Sequence, residues 1–337
     1  MPSSMTAGPG QCTGRVGRFS ATVLILLGAT SLAAGCRPEK PRAAAPPPAG
    51  EGYLVTPAGR VWYKVSGGGP GVPVILIHGG PGFPSYYMKP LEALGDRRQV
   101  VRYDQLAAGK SDHVTDTTLF TIPHFVGELD ALRAHLGYSK VHLYGLSWGT
   151  IVAVEYYHAY PEHVASLVLG GAALDLPAWE RHARELLATL PDSMQQAVRR
   201  REAARQYDAP DYQAALGEFY SRYVWRHPVA ADLDSTFAQV GEGLYNYMQG
   251  PSEFTITGTL REYDATPLLP GIKVPVLYTT GEFDEANPET IRRFASLTPG
   301  AQVVVFPGAA HLTPWDAPEE NVRVVQEFLS AVDGRTR

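Results

Sequence analysis

The stretch Tyr144-Gly145-Leu146-Ser147-Trp148-Gly149-Thr150 (YGLSWGT) follows a short apolar run, VHLYG at 141–145, and leads into IVAVEYYHAY at 151–160, a helix-forming run stopped by Pro161. A G-x-S-x-G sequence between a strand and a helix forms a sharp turn that holds its serine hydroxyl exposed in a strained conformation. Side chains at Gly145 and Gly149 would clash inside so tight a turn. Ser147 is therefore the candidate nucleophile, and the chain around it should be a strand-turn-helix unit of an α/β sheet.

Working outward, similar apolar runs recur at 72–77 (VPVILI), 99–103 (QVVRY), 164–169 (VASLVL), 274–279 (VPVLYT) and 302–306 (QVVVF). Continuous apolar strands interleaved with helices predict a mostly parallel central sheet covered on both faces. Chemistry in such sheets gathers at the carboxyl ends of the strands, which here carry HGG, DQ, GLS, GEFD and PGAAH. The alternation breaks over 175–263, a stretch rich in Ala, Arg, Glu and Tyr without strand-like runs. It reads as a helical cap inserted between two parts of the core, 53–174 and 264–337.

A serine nucleophile needs a base, and the base an orienting carboxylate. Triads on this kind of sheet run Ser, acid, His along the chain. His311, after the last strand in PGAAHL, has the required position, whereas His142, His158 and His163 read as structural. In GEFDE (281–285) Asp284 is the first choice for the acid, with Glu282 and Glu285 as alternatives that spacing alone leaves open. An oxyanion needs N–H donors. The residue after the nucleophile, Trp148, supplies one, and the loop HGGPG (78–82) should supply the other, through Gly80. His78 is expected to brace that loop. Gly109-Lys110-Ser111 imitates the end of a phosphate-binding loop, but the motif needs glycine where Asp104 stands.

The 337 residues carry 29 Lys and Arg against 34 Asp and Glu, a net charge of −5 without long runs of one sign, so nothing favours nucleic acid. The only cysteines, Cys12 and Cys36, lie near the N-terminus, so the remainder has neither a disulfide framework nor a thiolate metal site. Arg15 and Arg18 precede an apolar run ending in small residues, a secretion signal over 1–35. The small residues before Cys36 resemble a bacterial lipobox, with Ala33 where Leu is usual. The expectation is an exported protein lipid-anchored to the cell envelope through Cys36, or secreted if Cys36 is unmodified. Residues 36–52, rich in Pro and Ala, read as an extended tether.

Taken in order, HGGPG (78–82), DQ with GKSD (104–105, 109–112), GLSWGT (145–150), GPSEFTITGT (250–259), GEFDEANP (281–288) and HLTPW (311–315) resemble the proline iminopeptidases and related α/β-hydrolase aminopeptidases. One departure is Leu106-Ala107, where members usually carry Arg-Gly after the Gln. The resemblance implies the α/β-hydrolase fold, a triad of Ser147, Asp284 and His311, an oxyanion hole at Gly80 and Trp148, and no metal or organic cofactor. It implies cleavage of the N-terminal residue, often proline, from short peptides with a free N-terminus, through an acyl-enzyme. Glu253, in GPSEF, matches a carboxylate that holds the substrate's ammonium. A second carboxylate is expected, with Glu242 and Glu218 available but neither well placed. The alternative is a hydrolase of esters, lactones or amides lacking a free amine, which GPSEF argues against. A lipid-anchored binding module with a dead hydrolase fold is disfavoured, because Ser, His and acid are all present.

Overall fold

The computed structural model describes residues 47–335. The signal segment, Cys36 and residues 37–46 of the tether lie outside the described residues. Among those described, no helix is long and apolar enough to cross a membrane.

Eight strands form one sheet in the order β1-β2-β4-β3-β5-β6-β7-β8. β3 (Val74–Ile77), β4 (Gln99–Tyr103), β5 (Val141–Leu146), β6 (Val164–Gly170), β7 (Val276–Gly281) and β8 (Gln302–Phe306) run parallel. All residues of β3, β4, β5 and β7 are buried, as expected for strands covered on both faces. β3 and β7 each begin two residues after the start of the apolar run. Pro73 and Pro275 intervene, and a proline has no N–H to give a ladder.

The sheet's antiparallel edge, β1 (Gly50–Thr56) and β2 (Gly59–Gly67), is not among the strands expected from sequence. It starts inside the stretch read as tether. Only Leu54 of β1 is buried, while Tyr53 and Val55 face solvent, so the strand lacks the continuous apolar run that marks the others.

Helices α1 (Ile122–His135), α2 (Trp148–Ala159), α8 (Pro288–Leu297) and α10 (Pro318–Arg335) accompany the sheet, with a short α9 (Thr313–Asp316) after His311. Between β6 and β7 lie five further helices: α3 (Leu176–Leu187), α4 (Asp192–Ala204), α5 (Pro210–Tyr223), α6 (Ala230–Ala238) and α7 (Glu242–Met248). Asp175 caps α3 by accepting from the Ala178 N–H at 2.9 Å. The chain leaves and re-enters the core at one place. Leu176 N–H donates to Tyr263 O at 3.0 Å, and Ala265 N–H to Leu174 O at 2.8 Å.

Candidate active site

Ser147 sits between β5 and α2 with φ 55° and ψ −124°, outside the ordinary regions for a residue with a side chain. The elbow closes because its flanking glycines allow backbone to meet backbone. A Cβ at Gly145 would lie 2.3 Å from Gly149 O, and one at Gly149 would lie 2.1 Å from Ile77 O. Trp148 is the first residue of α2, where a backbone N–H has no intrahelical acceptor.

The loops after β7 and β8 bring Asp284 and His311 together. His311 Nδ1 and Asp284 Oδ1 are 2.7 Å apart, and both residues are buried. Asp284 also accepts from the Ala286 N–H at 2.8 Å and the Thr280 hydroxyl at 2.8 Å. Burial alone would raise this carboxyl. The imidazole beside it and these hydrogen bonds outweigh that, holding it below the usual range. The alternatives Glu282 and Glu285 do not pair with His311. Glu282 is exposed and accepts from the Gly308 N–H at 2.9 Å. Ser147 and His311 line one cavity, although no hydrogen bond joins them among the described residues. Such bonds often tighten only with substrate present.

Gly171 is a requirement that sequence reading missed. It has φ +47°, and a Cβ there would fall 2.4 Å from His311 Cε1 and 2.5 Å from Nδ1. The nearest signal is the Gly170-Gly171 pair closing β6, which reads as an ordinary turn. Gly171→Ala should displace the imidazole and lower kcat about 10²-fold, the typical cost of a 1 Å misplacement. Unchanged turnover in a steady-state assay would remove this role.

The HGGPG loop is braced as expected. His78 Nδ1 lies 2.9 Å from Gly79 O, and its Nε2 accepts from the Gln105 N–H at 2.9 Å. One ring nitrogen must donate and the other accept, so His78 is neutral, and burial favours the same state. It has no capacity left to act as a base. Gln105 then ties three parts together: its amide donates to His78 O at 3.1 Å and accepts from the Trp148 indole at 2.8 Å. Gly80 lines the Ser147 cavity, and the Gly79 N–H donates to the Tyr87 hydroxyl.

From the cap side comes Glu253. Its run is anchored by Phe254, fully buried against Phe219 and Tyr212, and by the Tyr212 hydroxyl donating to Ser252 Oγ at 3.0 Å. Glu253 lines the cavity shared by Ser147 and His311, and Tyr245 donates to its Oε1 at 2.7 Å. Burial raises its carboxyl, against the Tyr245 hydrogen bond and the charge of His311.

Neither Glu218 nor Glu242, the two carboxylates left open as a second partner, lines the Ser147 cavity. Glu218 is engaged by Arg222, with Nε 2.7 Å from its Oε1. Glu242 is exposed and borders a separate groove. Glu285 instead lines the Ser147 cavity, 1% exposed, with no hydrogen-bond partner on Oε2 among the described residues. Burial, then Glu253, then Asp284 push it well above the ordinary carboxylate range. Its position directly after Asp284 was the available signal, but spacing could not show that adjacent side chains point to different tasks. Phe83, Tyr220, Val224 and Trp225 form the apolar part of the same wall.

A buried acid–imidazole pair sharing a cavity with an elbow serine, on this sheet, defines a hydrolase of the α/β class, and the profile of the alpha/beta hydrolase fold matches residues 72–318. The chain is 38% identical over 285 residues to a proline iminopeptidase of Heyndrickxia coagulans, covering 84% of this chain and 99% of that one. It is 31% identical over 274 residues to one of Saccharolobus solfataricus, covering 80% and 88%. The crystal structure of the Mycobacterium smegmatis proline iminopeptidase superposes with a TM-score of 0.79 at 33% identity, covering 86% of this chain and all of that one. The chain belongs to the proline iminopeptidase family of α/β-hydrolases.

Proposed function

We propose that the protein is a serine aminopeptidase that removes the N-terminal residue, preferentially proline, from short peptides. The observation that carries this is the pair Glu253 and Glu285, both facing the cavity of Ser147 and His311. Burial raises both carboxyls, and Glu253 and Asp284 raise Glu285 further, so the pair forms a site for a positive charge, which an unblocked chain end supplies. The apolar wall of Phe83, Tyr220, Val224 and Trp225 suits a pyrrolidine ring. The relatives' name points the same way.

In the first step Glu253 and Glu285 hold the substrate ammonium and place the first carbonyl at Ser147. His311 accepts the Ser147 proton as Oγ attacks, and Asp284 steadies the imidazolium without taking the proton. The N–H groups of Gly80 and Trp148 stabilise the oxyanion. His311 then protonates the leaving amine, the C–N bond breaks and the acyl-enzyme remains. A water molecule, deprotonated by His311, attacks the ester; the free amino acid leaves and Ser147 regains its proton.

The test compares a prolyl anilide, its N-acetylated form and a simple ester on protein lacking residues 1–46. Strong preference for the free amine supports the reading. Equal or faster cleavage of the blocked substrate or ester would replace it with an esterase or amidase.

We further propose export and a lipid anchor on Cys36, from the basic flank, apolar run and small residues before it. Cys36→Ser should release the protein from membranes and change its gel migration. Membrane association and migration unchanged by that substitution would refute the anchor.

A further inference from the structure

The two N–H groups assigned to the oxyanion come from separate elements, Trp148 from the start of α2 and Gly80 from the loop after β3. They serve a developing charge only if both aim at the one place it will occupy. The peptide between Gly79 and Gly80 is trans, so its C=O and N–H point to opposite sides. Holding Gly79 O therefore aims the Gly80 N–H. The His78 ring holds it, with Nδ1 at 2.9 Å, and the Gly80 N–H has no acceptor among the described residues.

One side chain reaches from this loop to Trp148. Gln105 is fully buried, and its Nε2 donates to His78 O at 3.1 Å. Its backbone N–H donates to His78 Nε2 at 2.9 Å, so it grips that residue by both carbonyl and ring. Its Oε1 accepts from the Trp148 indole at 2.8 Å. The amide fits only this way round, because an indole N–H only donates and a carbonyl only accepts. Trp148 is itself 1% exposed and packs edge-on to Phe125, with ring centroids 5.7 Å apart. The neighbouring carboxylates are engaged elsewhere: Asp104 accepts from the Ser85 N–H at 2.8 Å, and Glu128, on α1, from the Leu106 N–H at 3.1 Å. Gln105 lines neither of the two cavities that Ser147 borders, so it meets no substrate.

We propose that Gln105 is a positioning residue of the oxyanion hole: its side-chain amide holds the Trp148 donor and the Gly80 donor in one fixed arrangement. The inference rests on the assignment of those two donors. Gln105 acts through them on the transition state. Donors placed for an oxyanion fit it better than they fit the ground-state carbonyl oxygen. Loosening the frame between them therefore slows the chemical step and leaves substrate binding as it was.

The test is steady-state kinetics of the whole chain, its Gln105→Met and its Gln105→Glu variants, each checked for folding by its melting curve. Gln105→Met keeps the length of the side chain and removes both hydrogen bonds. It should lower kcat about 10²-fold, the scale of a 1 Å misplacement, with KM unchanged. It should weaken a prolyl trifluoromethyl ketone by the same factor. That probe bonds to Ser147 Oγ, whose proton passes to His311, and its carbonyl oxygen takes the electron pair and becomes an oxyanion. Gln105→Glu supplies the rescue. Its protonated carboxyl donates to His78 O and accepts from the Trp148 indole as the amide does, and burial extends that state up the pH scale. Its kcat relative to wild type should be near one at acid pH and fall towards the Gln105→Met value where the carboxyl ionises. The ratio cancels the titrations that the two proteins share. A Gln105→Met variant with wild-type kcat, a loss borne by KM, unchanged affinity for the ketone, or a Gln105→Glu variant as slow as Gln105→Met at every pH would overturn the proposal. An ester forms the same oxyanion, so the series is repeated on one. Loss of the free-amine preference, with the ester still slowed by Gln105→Met, removes the aminopeptidase reading and leaves this one standing.

Discussion

Replacing Ser147 by alanine is expected to lower kcat by about 10⁶-fold, the scale seen when a serine–histidine unit loses its nucleophile. The expectation rests on geometry. The elbow holds Ser147 in a conformation with φ 55°, and it shares a cavity with an imidazole already fixed by Asp284 at 2.7 Å. Because triad members act as a unit, His311→Ala should cost about as much, and Ser147→Ala/His311→Ala little more than either alone. A fluorophosphonate probe should label the wild type at Ser147 and leave Ser147→Ala unlabelled. Labelling elsewhere, with turnover retained in the alanine variant, would move the nucleophile away from the elbow.

The second large effect concerns amine recognition. On the proposed reading, Glu253→Gln removes one charged acceptor of the substrate ammonium. A hydrogen bond of that kind is worth about 1.5–3 kcal/mol, or roughly 10- to 150-fold in kcat/KM. The loss should be confined to free-amine substrates, with the N-acetylated analogue no slower than before. A uniform loss on both would mean that Glu253 only supports the cap. Acidity provides a further check. Both carboxyls are raised, so as pH falls they take up protons and kcat/KM for the free amine should fall with them. Stability runs in the opposite sense. Glu285 holds its proton in the folded state at pH values where the unfolded chain has released it. Folding therefore loses stability as pH rises from the unfolded pKa towards the raised folded one. Glu285→Gln should accordingly melt higher than the wild type at neutral pH while turning over free-amine substrates more slowly.

Much of this was legible before any coordinates. The elbow, the parallel strands and the order Ser147, Asp284, His311 follow from apolar runs ending in glycine and from the chemistry a serine requires. The antiparallel edge was not legible, because β1 buries a single side chain and exposes its neighbours. Prolines trimmed β3 and β7 inside apolar runs that continue through them. Gly171 and Glu285 escaped for a different reason: their roles depend on three-dimensional approach. A glycine matters there because an imidazole arrives from a loop 140 residues later. Glu285 matters because the backbone turns between it and Asp284, sending one carboxylate to the histidine and the next into the cavity.

The cap's stem, where Leu174 and Ala265 are hydrogen-bonded, divides the two carboxylates of the Ser147 cavity between different parts of the molecule. Glu253 rides on the insertion, and Glu285 belongs to the sheet's own loops. Both reach the same cavity, one from each side of the stem. On the proposed reading, a substrate's positive end is held between one group carried by the insertion and one carried by the core.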